Sequence, residues 1–283
     1  MDKLTFLDLS VNDIEDIIPY AFAGLKSLLV LDLSNNKLEE LPSEAFDNLT
    51  SLKVLNLSHN SIRSLDDDLF VPLESLHELH LSHNPLVYVS VQVMKPLRSL
   101  SILGLNAINA FTLSADNFHY NGKLSELQLS ENKFSKIPND GLRSAANLRK
   151  LYFNQNNIRV INDESFAGLS ALQELYVSHS PSLTDVQKRS FSDLKNLRIL
   201  SITSNNALSY IDSYAFYQMY NATNFKLEKI FLNDNRLTTL DASSLPWCRL
   251  KVLDLRSNHW NCDCNIRWIK ECPNEEFLVN GIR

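Results

Sequence analysis

Three histidines, His59, His80 and His83, are the side chains with the clearest potential for chemistry. His59 and His83 stand in identical Ser-His-Asn triplets, so we expect them to be near neighbours in the fold. Such a group could hold a metal ion or respond to pH. Since Ser-His-Asn is also an ordinary polar sequence before a turn, we interpret these histidines as surface residues and predict no metal site.

The other candidates for chemistry are equally weak. The carboxylate run Asp66–Asp68 lacks the spaced ligands of a calcium loop, and we interpret it as a solvated loop. The sequence contains no Gly-x-Ser-x-Gly, no His-Glu-x-x-His and no phosphate loop. We therefore predict no catalytic residues, no cofactor and no enzymatic activity.

Composition excludes further classes of function. The 283 residues include only 6 glycines, which disfavours a glycine-rich nucleotide-binding fold. With 27 basic and 33 acidic residues the net charge is −6, which argues against a nucleic-acid partner. No apolar run approaches the ~18 residues that span a bilayer, so we expect no direct membrane insertion by this sequence.

The elements that must position any site come from an internal repeat. Leu28, Leu31, Leu33, Asn36 and Leu38 form the pattern Leu-x-x-Leu-x-Leu-x-x-Asn-x-Leu. Its first leucine recurs at a spacing of 24 residues seven times, and then at 25, 30 and 23. The first leucines are Leu4, Leu28, Leu52, Leu76, Leu100, Leu124, Leu148, Leu172, Leu197, Leu227 and Leu250.

Each column of the repeat has a physical role. Leu-x-x-Leu-x-Leu places alternate side chains on one face of a short strand. The asparagine carries both a donor and an acceptor for backbone groups that a buried turn leaves unpaired, so we expect a ladder of asparagine hydrogen bonds. An aromatic column, which we interpret as core, follows at Phe22, Phe46, Phe70, Phe118, Phe166, Phe191 and Phe216.

This pattern resembles the leucine-rich repeat family, in its 24-residue extracellular type. The resemblance implies an α/β solenoid shaped as a curved horseshoe, with a parallel concave β-sheet and turns or short helices on the convex side. We expect about eleven repeats over residues 1–258. One coil cannot bury its own apolar face, so neighbouring coils must stack.

All four cysteines, Cys248, Cys262, Cys264 and Cys272, lie near the C-terminus. The segment from Asn258 to Trp268 resembles the cysteine-rich C-terminal cap of extracellular leucine-rich repeat proteins. We predict a partial cap over residues 259–283, with disulfides rather than zinc because Cys-x-Cys is shorter than the usual zinc spacing. The pairing stays open.

The compartment follows from the cysteines and three glycosylation sequons, at Asn48, Asn56 and Asn221. The sequence has no secretory signal, and the N-terminal cap usual in the family is absent. We therefore expect a fragment of a longer extracellular protein, secreted or attached to a membrane. Asn221 lies in the long ninth repeat, whereas Asn56 points onto the concave sheet.

The concave face is where the family usually binds its ligands. The middle outward position carries aromatic residues in the later repeats: Tyr152, Tyr176 and Phe231. Lys150, Glu174 and Lys229 lie beside them. The alternative is that these tyrosines have no binding role, since tyrosine is common on strands. We predict that these six residues contact a protein ligand, because aromatic residues supply large contact area at low entropic cost.

Three irregularities break the pattern. Ile108 replaces the asparagine in the fifth repeat, Ser180 replaces it in the eighth, and the ninth repeat carries an insertion over residues 217–226. Such departures can bend a solenoid or present a loop, or can be simple divergence.

The predicted function is a non-enzymatic protein-binding ectodomain, with roles such as adhesion, innate immunity or receptor signalling implied by the resemblance. Its partners would be a protein ligand or co-receptor, with a homo- or heterodimer possible. The alternative is an intracellular leucine-rich repeat scaffold that regulates a protein partner.

Overall fold

The computed structural model describes residues 3–219, 224–261, 266–272 and 277–278. The chain forms two compact units, residues 1–133 with 140–148 and residues 134–139 with 149–283. Both units are solenoids of stacked coils with a parallel sheet, as the repeat predicts.

In the first unit, every Leu-x-x-Leu-x-Leu segment forms a three-residue strand, and consecutive strands pair in parallel and in register. The middle leucine of each strand points into the coil, and Leu31 and Leu55 are fully buried. The strands are β1 (Phe6–Asp8), β2 (Val30–Asp32), β3 (Val54–Asn56), β4 (Glu78–His80), β5 (Ile102–Gly104) and β6 (Glu126–Gln128).

In the second unit, the main sheet is built in the same way and in the same register. Its strands are β7 (Lys150–Tyr152), β9 (Glu174–Tyr176), β11 (Ile199–Ser201), β13 (Lys229–Phe231), β14 (Val252–Asp254) and β15 (Phe277–Leu278).

A second, smaller parallel sheet lies on the return side of three coils in this unit. The repeat pattern predicted only turns and short helices there. Its strands are β8 (Val160–Ile161), β10 (Asp185–Val186) and β12 (Tyr210–Ile211).

Helices are few and short, as expected for the return side. They are α1 (Val91–Met94), α2 (Asn139–Leu142) and α3 (Trp268–Glu271), with a 3₁₀ turn at Trp247–Arg249.

The predicted asparagine ladder is confirmed. Asn36 donates from Nδ2 to the Leu33 carbonyl of its own coil at 3.1 Å and to the Leu9 carbonyl of the preceding coil at 2.9 Å. Its Oδ1 accepts from the amide of Ile14 in the preceding coil at 3.0 Å. One side chain therefore satisfies backbone groups of two coils that would otherwise be buried and unpaired.

In the two repeats whose asparagine is replaced, the asparagine of the next coil keeps the hydrogen bonds of the ladder. Asn132 Oδ1 accepts from the amides of both Ile108, at 3.1 Å, and Ala110, at 3.0 Å. Asn205 Oδ1 accepts from the amide of Ser180 at 2.8 Å. Replacement of the asparagine at these two positions therefore leaves the nearby backbone amides hydrogen-bonded.

The aromatic column belongs to the core, as predicted, and parts of it stack. Phe46 and Phe70 stack with ring centroids 6.3 Å apart in the first unit. In the second unit the stack runs from Phe166 through Phe191 to Phe216, at 6.1 and 5.1 Å. These rings are almost fully buried and form the core beneath the return side.

Candidate functional site

Strands β7 and β9 position the predicted binding residues. Lys150 pairs with Glu174, and Tyr152 pairs with Tyr176, in parallel register. Successive side chains of a strand point to opposite faces, so these four lie on the side of the sheet away from the buried leucines. We call this side the open face; in the second unit it carries these four residues, Lys229 and Phe231.

The two tyrosines form a flat aromatic pair. Their ring centroids are 4.8 Å apart and their planes are inclined by only 3°. Both side chains are half-buried, since each ring covers one face of the other. The pair therefore presents ring surface whose orientation is already fixed, which lowers the entropy lost on binding.

Polar contacts hold the aromatic pair in place. The Tyr176 hydroxyl donates to Glu174 Oε2 at 2.9 Å, and Lys150 Nζ lies 3.4 Å from Glu174 Oε1. Glu174 is less exposed than Lys150, at 22% against 42% of the side chain. The arrangement joins an apolar surface to an ion pair at its edge, a combination that suits protein recognition.

Phe231 and Lys229 lie on the same face but not in the same cluster. Ser201 of β11 pairs with Tyr176 on one side and with Phe231 on the other. A small side chain thus separates the tyrosine pair from Phe231. The structure gathers four of the six predicted residues on β7 and β9, and places the other two on β13, two strands beyond β9.

The sequence analysis did not single out Arg256, which lies on the strand-end side of β14. Its guanidinium contacts the carboxylate of Asp254 at 2.9 and 2.5 Å, and Asp254 is almost fully buried. The carboxylate raises the pKa of Arg256 through hydrogen bonds and charge attraction. Its position in the repeat could have marked it in the sequence, because the other repeats carry serine, threonine or asparagine there.

The histidines are neighbours, as expected. The rings of His59 and His83 stack with centroids 4.1 Å apart, and His80 Nε2 lies 3.7 Å from a Glu78 carboxylate oxygen. Within the part of the chain that the structure describes, no three His, Cys, Asp or Glu residues are placed to hold a metal ion.

The carboxylate run Asp66–Asp68 lies at an exposed turn. Asp66 Oδ1 accepts from the amide of Asp68, and Asp67 accepts from the Ser90 hydroxyl, both at 2.9 Å. These contacts organise the turn and the start of α1.

Cys248 and Cys272 form a disulfide with a Cα–Cα distance of 5.0 Å. Trp268 stacks on the buried Trp247 at 5.3 Å, and Trp247 meets Phe216 edge-on at 6.1 Å. The aromatic core is thereby continued into the C-terminal segment. The other two predicted disulfide candidates, Cys262 and Cys264, lie outside the described residues.

The sequons differ in accessibility. Asn48 is exposed. Asn56 is half-buried and donates from Nδ2 to Asp32 Oδ2 at 3.1 Å, so its amide nitrogen is already engaged. Asn221 lies outside the described residues.

Among the described residues, no helix has the length and apolarity needed to cross a membrane.

Comparison with known proteins identifies the repeats. The model of the leucine rich repeat family matches residues 2–62, 30–86, 122–181, 146–206 and 172–222. The high affinity nerve growth factor receptor of Gallus gallus is 36% identical over 89 residues, which are 31% of this chain and 10% of that protein. The chain thus spans far less than the length of such curated relatives.

Solved structures share the fold over nearly the whole chain. A chain of the Toll–Spätzle complex of Drosophila has a TM-score of 0.77 and 28% identity, covering 92% of this chain and 35% of its own length. A chain in a complex of Latrophilin 3, Unc5D and the leucine-rich repeats of FLRT2 has a TM-score of 0.69 and 25% identity. The match covers 91% of this chain and 84% of that one. TLR13 bound to single-stranded RNA has a TM-score of 0.68 and 25% identity. The match covers 98% of this chain and 47% of that one.

The family model and these likenesses agree with the leucine and asparagine columns seen in both units. The chain belongs to the leucine-rich repeat family, with coils like those of Toll, TLR13 and FLRT2.

Proposed function

We propose that this chain is the protein-binding part of an extracellular, non-enzymatic leucine-rich repeat protein, and that it recognises a protein ligand through the open, concave face of its sheet. The observation that carries the proposal is the parallel tyrosine pair of Tyr152 and Tyr176. The hydrogen bond from the Tyr176 hydroxyl to Glu174, which in turn lies 3.4 Å from Lys150 Nζ, orients this ring before any ligand arrives.

Two further observations support this function. Structures with the same fold include complexes with proteins, namely Toll with Spätzle and FLRT2 with Latrophilin 3 and Unc5D. The disulfide between Cys248 and Cys272 favours an oxidising, extracellular compartment over the cytosol. Roles in adhesion, innate immunity or receptor signalling all use this kind of recognition.

The test is a binding screen against an array of secreted and cell-surface protein ectodomains, with the purified chain as the probe. Any ectodomain bound is then titrated against the double variant Tyr152→Ala/Tyr176→Ala. We expect the variant to bind at least about 30-fold more weakly, since truncating a central hot-spot residue costs roughly 2 kcal/mol or more.

The matched control is Tyr214→Ala/Tyr217→Ala. These tyrosines are more exposed, at 54% and 43%, and lie on the return side of the same unit. The control should keep wild-type affinity. A ligand that binds both double variants equally well would show that the tyrosine pair is not the binding site.

A further inference from the structure

A glycine on the open face of the first unit marks a second candidate site. The outward residue that ends each strand from β1 to β6 is aspartate, asparagine, histidine or glutamine in five strands and glycine in β5. This glycine, Gly104, pairs with His80 of β4 on one side and with Gln128 of β6 on the other. The row of outward side chains therefore has a gap at β5.

The backbone does not require a glycine at this position. Gly104 does not have a positive φ, so other residues can adopt its conformation. The pairing runs without interruption from β4 through β5 to β6, so the strand has no bulge there. A glycine inside a strand weakens it, and where neither a turn nor a bulge needs the glycine, it often marks the close approach of a ligand.

Polar atoms of three neighbouring side chains surround the gap. A Cβ atom on Gly104 would lie 3.2 Å from His80 Nδ1, 3.2 Å from Ser82 Oγ and 3.6 Å from Gln128 Oε1. The two oxygens are held in place, because the amide of Asn106 donates to Ser82 Oγ at 3.1 Å and Asn106 Nδ2 donates to Gln128 Oε1 at 3.3 Å. We call the gap at Gly104, bordered by His80, Ser82 and Gln128, the cradle.

The side chains on either side of the cradle present acceptors to it. Gln128 Nε2 donates to Glu126 Oε1 at 2.9 Å, which turns the carbonyl oxygen of the Gln128 amide towards Gly104. His80 Nε2 lies 3.7 Å from Glu78 Oε2, and this attraction favours the tautomer with its hydrogen on Nε2. His80 Nδ1 is then an acceptor, so a group that binds between the two side chains must be a donor.

The charge of the surrounding sheet favours a cationic donor. Strands β1 to β6, all of which the structure describes, contain four carboxylates and no lysine or arginine. Two of these carboxylates, Glu78 and Glu126, stand two residues before His80 and Gln128 on the same strands, and so lie on the same face. A positive charge in the cradle is therefore attracted from both neighbouring strands.

We propose that the cradle binds the guanidinium group of an arginine side chain on a protein partner. This inference rests on the protein recognition proposed above and adds a contact on the first unit. A guanidinium is planar and presents its N–H donors as a fork, so it can donate to acceptors on both sides of Gly104 at once. Because glycine has no side chain, this flat group can come close to the strand.

Other ligand groups match the cradle less well. A carboxylate or a phosphate would meet acceptors there and the like charges of Glu78 and Glu126. A lysine ammonium has the right charge, but it is a compact group without the planar fork of arginine. Lysine is therefore the competing occupant in the test.

The test titrates the isotope-labelled chain with a capped tripeptide that carries arginine between two glycines, and follows the backbone amides by NMR. Binding in the cradle should shift the amide signals of Gly104 and Asn106, and the shifts should saturate. The same tripeptide with citrulline, which keeps the shape of arginine but lacks its charge, should bind at least about 10-fold more weakly, because charge-assisted hydrogen bonds are the stronger ones.

Two variants locate the site. Gly104→Ala fills the cradle and should bind the arginine tripeptide at least about 10-fold more weakly. The added methyl group meets only the side-chain atoms of His80, Ser82 and Gln128, so we expect the strand to remain folded. Gln128→Glu replaces the amide with a carboxylate of the same shape and should bind the arginine tripeptide about threefold more tightly, because it adds an opposite charge.

The matched control is Gly122→Ala, at an exposed glycine of the same coil where a Cβ atom meets no other residue within 4 Å. It should bind the arginine tripeptide as the wild type does. Absence of saturating shifts, equal binding of the arginine and citrulline tripeptides, or equal binding by Gly104→Ala and Gly122→Ala would overturn the proposal. Tighter binding of a lysine tripeptide would overturn the choice of arginine.

This outcome is separable from that of the tyrosine pair. The Tyr152→Ala/Tyr176→Ala variant leaves the cradle intact and should keep full binding of the arginine tripeptide. Loss of that binding in the tyrosine variant would place the tripeptide on the tyrosine pair and overturn the assignment to the cradle. Circular dichroism of each variant checks that the coils remain folded.

Discussion

In most coils, a single asparagine side chain makes several hydrogen bonds to the backbone. Asn84 is almost fully buried; its Nδ2 donates to the Leu57 and Leu81 carbonyls at 2.9 and 3.0 Å, and its Oδ1 accepts from the amide of Ile62 at 3.0 Å. Asn84→Ala should destabilise the chain by roughly 3 kcal/mol, because each buried group left unpaired costs about 1–3 kcal/mol. Urea unfolding measures the loss.

The matched control is Asn12→Ala, at the same column position in the first coil. Asn12 is exposed, and it donates only to carbonyls of its own coil, those of Leu9 and Ser10. Water can replace those bonds, so we expect a loss below about 1 kcal/mol. Equal losses in the two variants would contradict the inter-coil role assigned to the ladder.

The lowered pKa of Glu228 leads to a second prediction for a single residue. Its pKa lies below the ordinary value of 4.5 because Lys251 and Arg198 donate to it. The folded state therefore binds fewer protons than the unfolded state in this range, so stability rises with pH there. Glu228→Gln should be less stable than the wild type at neutral pH, and the two should converge as the pH falls below 4.5.

Urea unfolding at a series of pH values measures this convergence. The variant Glu40→Gln, at an exposed glutamate, corrects for the general effect of removing a carboxylate. A gap between Glu228→Gln and the wild type that stayed constant with pH would show that the ion pairs do not contribute to folding.

Among the structural elements, the disulfide that joins the last coils to the C-terminal segment leads to a testable prediction. The bond between Cys248 and Cys272 closes a loop with a sequence separation of 24 residues. Cys248→Ser/Cys272→Ser should lose about 3 kcal/mol of stability, because without the cross-link the unfolded chain has more conformational entropy. Chemical unfolding followed by tryptophan fluorescence reports the stacked Trp247 and Trp268 directly.

Reduction of the wild type provides the comparison. Dithiothreitol should lower its stability towards that of the serine variant and leave the variant itself nearly unchanged. Loss of stability on reduction in the variant as well would assign the effect to the remaining cysteines, Cys262 and Cys264.

The strands of the main sheet were predictable because Leu-x-x-Leu-x-Leu alternates at the period of a strand. The sheet of β8, β10 and β12 was not, because strands of two residues show no alternation. The column that holds Tyr152 and Tyr176 followed from the spacing. The parallel orientation of their rings did not, because it depends on side-chain rotamers that the repeat pattern does not determine.

The two cations that donate hydrogen bonds to Glu228 illustrate the same limit. Arg198 and Lys251 are far apart in sequence, and each looks like an ordinary surface charge. Only the register of successive coils brings them to one carboxylate.

At the scale of the whole molecule, the extracellular location makes the final prediction. Peptide mass mapping of the protein from its native source should find a glycan on the exposed Asn48 and none on Asn56. The amide nitrogen of Asn56 donates to Asp32, and a glycan there would break that bond. Unmodified Asn48 and Asn221, together with free thiols, would favour the intracellular alternative.

The ladder also determines how such a protein can change its length during evolution. After Asn12 in the first coil, the asparagines of the ladder serve their own coil and the one before it, as Asn36 serves Leu33 and Leu9. Duplication or loss of one complete genetic unit leaves every remaining asparagine with a full set of partners, whereas a partial deletion orphans backbone groups at the junction. The number of repeats can therefore change by whole repeats without breaking the ladder. Insertions within a repeat are tolerated at the place where the ninth repeat carries one, away from the asparagine and its strand.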